Sequence, residues 1–70
     1  MAEVRSEMVA NVWKVLVKAG DQVAAGDPLV ILESMKMEIP VEAPESGTIK
    51  QVEVQEGGVV QEGDLIASIG

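Results

Sequence analysis

The sequence predicts an all-β domain: two small antiparallel sheets facing each other, a flattened barrel or sandwich with an internal pseudo-twofold repeat. Three observations predict it. First, the 70 residues include twelve valines and no phenylalanine or tyrosine, so the core must come from aliphatic side chains that suit a pleated surface. Second, the two halves of the chain resemble each other at an offset of 37. Third, Gly, Asp and Pro cut the chain into short apolar runs, leaving no stretch of helical length.

The repeat is specific in its positions. Val15 falls on Val52, Val17 on Val54, Gly20 on Gly57, Val23 on Val60, Gly26 on Gly63 and Asp27 on Asp64. Val12/Ile49, Leu29/Ile66 and Leu32/Ile69 match in kind. Two copies are too few to stack as a solenoid. They suffice to bury one shared face across a pseudo-twofold axis.

The turn signals place the elements in order. A first strand is predicted near 3–7 and a second over 12–17. Within the second, Val12, Val15 and Val17 are spaced by three and then two, and Ile49, Val52 and Val54 repeat that irregularity. Strict alternation puts every second residue on one face, so an extra residue at the same place in both copies predicts a β-bulge. Gly20-Asp21 and Gly26-Asp27-Pro28 bracket a short strand at 22–23 and open the next at 28–33. A strand at 38–42 follows, closed by the turn from Pro44 to Gly47. The second copy then gives 48–54, 59–60 after Gly57-Gly58, and 65–69 after Gly63-Asp64.

Composition excludes several functions. Net charge is −7 with five basic residues, so nucleic acid is not an expected partner, since phosphate binding needs clustered Lys and Arg. Without histidine or cysteine the chain cannot hold zinc, form a disulfide or use a thiolate. Ser6, Ser34, Ser46 and Ser68 have no histidine to activate them. Carboxylate pairs such as Glu42 and Glu45 read as solvated surface in so acidic a chain. Met1 to Arg5 lacks the basic and apolar stretches of a secretory signal, and no apolar run approaches the roughly 20 residues that span a bilayer. A soluble, cytoplasmic, non-catalytic domain is expected, with no membrane partner.

One group stands out. Between the strands at 28–33 and 38–42, Ser34, Met35, Lys36 and Met37 leave room only for a tight turn. A lysine in a turn is usually just solvated. Lys36, however, sits at the junction of the two copies and is bracketed by methionines. Exposed Met35 and Met37 add little to stability, so a partner that reads them is the natural account.

Glu33-Ser34-Met35-Lys36-Met37 resembles the biotin-acceptor motif of the biotinyl/lipoyl attachment domain family. Gly20-Asp21-x-Val23-x-x-Gly26-Asp27 before it, and Pro44-x-x-Gly47 and Gly63-Asp64 after it, extend the resemblance over nearly the whole chain, to small stand-alone biotin-attachment proteins. The resemblance implies a barrel-sandwich hybrid spanning residues 1–70. It implies that Lys36 carries biotin as an amide, and that a biotin protein ligase reads Met35 and Met37 and acylates Lys36 from a biotinyl adenylate. It further implies carboxyl transfer between biotin carboxylase and carboxyltransferase subunits, the cofactor doing the chemistry and the protein the tethering. Biotin is the expected cofactor, with no metal and no catalytic residue.

Some positions depart from the family pattern. Ser34 stands where Ala is more frequent. Ala10 stands in a loop that often carries Gly, and any left-handed backbone there is expected at Asn11, which tolerates it. The short Val17 to Gly20 connection has no room for a protruding thumb. Trp13 aligns with Lys50, so the repeat requires no aromatic there. Trp13 is expected to pack over one end of the barrel, with partner binding or biotin shielding as the alternative. Two other functions fit the same residues: a lipoyl carrier, whose hairpin more often reads Asp-Lys-Ala, and an unmodified β interaction module.

Overall fold

Strands form where the turn residues leave room for them. The computed structural model describes residues 2–70 and contains β1 (Ala2–Arg5), β2 (Ala10–Val15), β3 (Gln22–Val23), β4 (Pro28–Ser34), β5 (Met37–Glu42), β6 (Gly47–Val52), β7 (Val59–Val60) and β8 (Leu65–Ile69). All eight predicted strands are present. β2 and β6 end two residues earlier than predicted, because Val17 and Val54 pack against the core from beyond the ladder. Among the described residues there is no helix long and apolar enough to cross a membrane.

The strands form two separate antiparallel sheets, ordered β1-β8-β6-β3 and β5-β4-β2-β7. Of the two predicted shapes, the open sandwich is the one that forms, since the eight strands do not join into one closed sheet. Adding 37 to a residue number carries β1 onto β5, β2 onto β6, β3 onto β7 and β4 onto β8. Each sheet therefore takes two strands from each half of the chain.

Backbone hydrogen bonds obey the same operation. The Gly20 N–H donates to the Ile49 carbonyl and the Gly57 N–H to the Val12 carbonyl, both at 2.8 Å. Gly26 donates to Ala43 at 2.9 Å and Gly63 to Ser6 at 2.8 Å. The turns at Ala24–Asp27 and Gln61–Asp64 are copies too. In each the aspartate N–H returns to the first carbonyl at 3.0 Å, and the aspartate Oδ2 accepts from the first N–H at 2.9 Å. Their third residues, Gly26 and Gly63, have φ of 92° and 88°, which a side chain would strain. The repeat is thus a pseudo-twofold axis in space.

The core lies on that axis. Val12 and Ile49, Leu29 and Ile66, and Leu32 and Ile69 are all buried as matched pairs. The predicted bulge is present in both copies: pairing slips between Val12 and Lys14, and again between Ile49 and Gln51. Trp13 and Lys50 are the extra residues. This corrects the expectation for Trp13. The bulge turns the ring outward, leaving it 43% exposed with the Lys14 Nζ 5.6 Å from its centroid and outside the core cluster. Asn11 needs a second correction. It lies inside β2 opposite Glu33, and ladder pairing holds it extended, so no left-handed residue falls there.

The dyad also explains one sequence difference. Gly47 stands where the first copy has Ala10, and a Cβ on Gly47 would meet the Ile69 Cγ2 at 2.5 Å. Ala10 is matched with Leu32, which has no branch at Cβ. Gly47→Ala is expected to cost about 1–3 kcal/mol by overpacking. Adding Ile69→Leu should return most of that loss, a coupling readable from urea melts of the four species.

Strand direction separates the two ends. Asn11 opposite Glu33 puts the start of β2, and so the Ser6–Val9 loop that ends β1, beside the β4–β5 turn. Met8 of that loop lines one crevice with Leu32 and Ile39. The Ala2–Ile69 pair, four residues back along β1, lies away from that turn.

Candidate functional site

The β4–β5 hairpin is held from both sides. β4 is an inner strand, flanked by β5 and β2, and Leu29, Val30 and Leu32 anchor it in the core. Pairing runs without a slip from Ile31↔Pro40 to Ser34↔Met37, so the connection is only two residues, Met35 and Lys36.

These two residues have φ of 53° and 66°, the only non-glycine positive values among the described residues. Two-residue loops favour the mirror-image turns because their twist matches that of the strands, and positive φ at both central residues is the type I′ form. Asn-Gly usually fills these places. An L-residue with a full side chain there costs about 1–2 kcal/mol, so the hairpin stores strain at its tip. The sequence shows the short loop. It hides the left-handed turn, because Met-Lys lacks the Gly or Asn that normally signals one. The turn type follows only once the pairing of Ser34 with Met37 leaves two residues between the strands.

Each predicted site residue is at this tip. Met35 is 92% exposed, Met37 is 63% exposed and Lys36 is exposed between them. Lys14, Lys18 and Lys50 are also exposed, but on strand faces or in a loop between strands. Beneath the tip, Glu33 faces Glu38 directly across the strands. Like charges in that relation are destabilising, and neither makes an ion pair among the described residues. Among those residues no cluster of His, Cys, Asp or Glu could hold a metal ion.

A primary amine on a strained, solvent-facing turn, mounted on a duplicated sandwich, defines a class: a carrier domain that does no catalysis of its own. The chain belongs to the biotin/lipoyl attachment family. The profile of the family described as "Biotin-requiring enzyme" matches residues 2–69. A "Biotinylated protein TB7.3 homolog" of Mycobacterium leprae is 59% identical over 70 residues, 99% of each chain. A "Biotin/lipoyl attachment protein" of Bacillus subtilis is 52% identical over 63 residues, 90% of this chain and 86% of that one. Among solved structures, the urea carboxylase of Kluyveromyces lactis superposes with a TM-score of 0.91 at 38% identity, covering 99% of this chain. The chain spans only 6% of that enzyme's length.

Proposed function

We propose that Lys36 is the site of covalent biotin attachment and that the chain is a carboxyl carrier. One observation carries this: Lys36 is exposed on a two-residue turn held between paired strands. The residues suit the group, because amide formation needs an accessible primary amine and no other protein ligand. A biotin protein ligase supplies the activated acyl group. The Lys36 Nζ attacks the acyl carbon, adenylate leaves, and the amine gives up its proton to the ligase. Met35 and Met37 give the ligase two flexible apolar contacts on either side of the nucleophile.

Attached biotin supplies a ureido nitrogen that takes up and releases a carboxyl group. The chain fixes the arm's origin at one strained turn and keeps the surroundings of that origin free. Tethering raises the local concentration of the cofactor at each partner site. The partners are a biotin carboxylase and a carboxyltransferase, and the setting is the cytoplasm. The single domain spans residues 1–70.

A lipoyl group on the same lysine is the second reading, favoured by the name of the Bacillus subtilis relative. Intact mass spectrometry of the protein purified from its own organism separates the two and the bare chain. A biotinyl mass is expected; a lipoyl mass or an unmodified chain would overturn the reading.

A further inference from the structure

The dyad supplies an internal control for surface positions outside the Ser34–Met37 turn, because residues 1–33 and 38–70 are mates at an offset of 37. The outer faces of the two sheets differ sharply under this comparison. On the sheet that carries Lys36, the exposed positions include Trp13, Leu16 at 48% and Val59 at 61%. Their mates are Lys50, Glu53 and Gln22, all exposed and all polar. Ile31, paired with Lys14 and Pro40 on the same outer face, has Ser68 as its mate. Neither fold nor strand pairing asks for this difference, since the polar copy builds the same elements.

The apolar face reaches the hairpin through Val59, while Leu16, whose N–H donates to the Leu29 carbonyl, marks its far end. Val59 is opposite Asn11, Asn11 is opposite Glu33, and Glu33 is opposite Glu38. That row crosses the sheet two to three residues from Met35 and Lys36, or roughly 10 Å along the strand. Its acidic members, Glu33 and Glu38, form the uncompensated pair described above. A surface that covers this face is therefore apolar at its centre and basic near the tip.

We propose that the outer face of the β5-β4-β2-β7 sheet, centred on Trp13, Leu16 and Val59, is the docking surface for the ligase that acylates Lys36. The proposal rests on Lys36 being the acceptor. An enzyme that reacts with the lysine amine itself must close to within one side chain of the backbone, so its surface overlaps the first rows of the adjoining sheet. An enzyme that acts on the far end of the longer biotinyl arm has no such requirement.

The test exchanges the three residues for their mates: Trp13→Lys, Leu16→Glu and Val59→Gln in one chain. Each replacement already occupies the equivalent backbone position, and the changes of +1 and −1 leave net charge at −7. With a biotin protein ligase and unmodified carrier, KM is expected to rise at least about tenfold with kcat within about twofold. The control variant Lys50→Ala, Glu53→Ala, Gln22→Ala on the opposite sheet should keep the wild-type KM. Circular dichroism melts verify that both variants fold. Unchanged KM in the first variant, or an equal rise in the control, would overturn the docking face while leaving Lys36 as acceptor. Failure of the wild type to be acylated would overturn both. A wild-type dimer in sedimentation that the first variant dissolves would assign the face to a second copy of this chain instead.

Discussion

Lys36→Arg is expected to abolish biotin attachment and leave the fold unchanged. Arginine keeps the positive charge and the length, but its guanidinium stays protonated at any working pH and does not attack an acyl adenylate. The side chain is exposed, so stability should shift by less than about 0.5 kcal/mol. The strained turn is equally strained with either residue. Wild type co-expressed with a biotin ligase should bind streptavidin and focus at lower pH. Amide formation removes one positive charge, taking the net charge from −7 to −8. Arginine at 36 should show neither change. Capture by streptavidin that survives the substitution would move the acceptor to Lys14, Lys18 or Lys50.

Leu29→Ala and Ile66→Ala are expected to be the most damaging substitutions to stability, each by about 2–5 kcal/mol. Both side chains are fully buried, and they are mates across the dyad. A chain of this size buries a modest share of its surface, so its total margin lies near the lower end of the usual 5–15 kcal/mol. Either change should leave a large unfolded fraction at 37 °C. The two losses should agree within about 1 kcal/mol, since both open the same core from opposite sides. Urea melts of the two variants test this. A loss in one far smaller than in the other would mean that the sheets do not share one core.

Most of this architecture is legible in the chain because the duplication is. Matching Val12 to Ile49 and Gly26 to Gly63 sets the dyad, and the repeated three-then-two spacing sets the bulge. Lys36 is legible because the four residues between the predicted strands, Ser34 to Met37, leave room only for a tight turn. Trp13 is not, for a physical reason. A bulge places two consecutive residues on one face, and apolar patterning cannot say which way the extra one turns. Asn11 fails similarly, since its tolerance of left-handed backbone is only a tendency and ladder pairing with Glu33 overrides it. The unequal outer faces emerge only when residues such as Leu16 and Glu53 are known to share one backbone setting.

The Ala2–Ile69 pair lies at the end of the sandwich remote from the Met35–Lys36 turn. Additional polypeptide joined at either terminus would leave on the side facing away from Lys36. The same 70 residues can thus serve alone or be spliced into a much longer enzyme without a new path being cut for the swinging cofactor. Embedding such a module requires no redesign of its working tip, only a leash of suitable reach behind it.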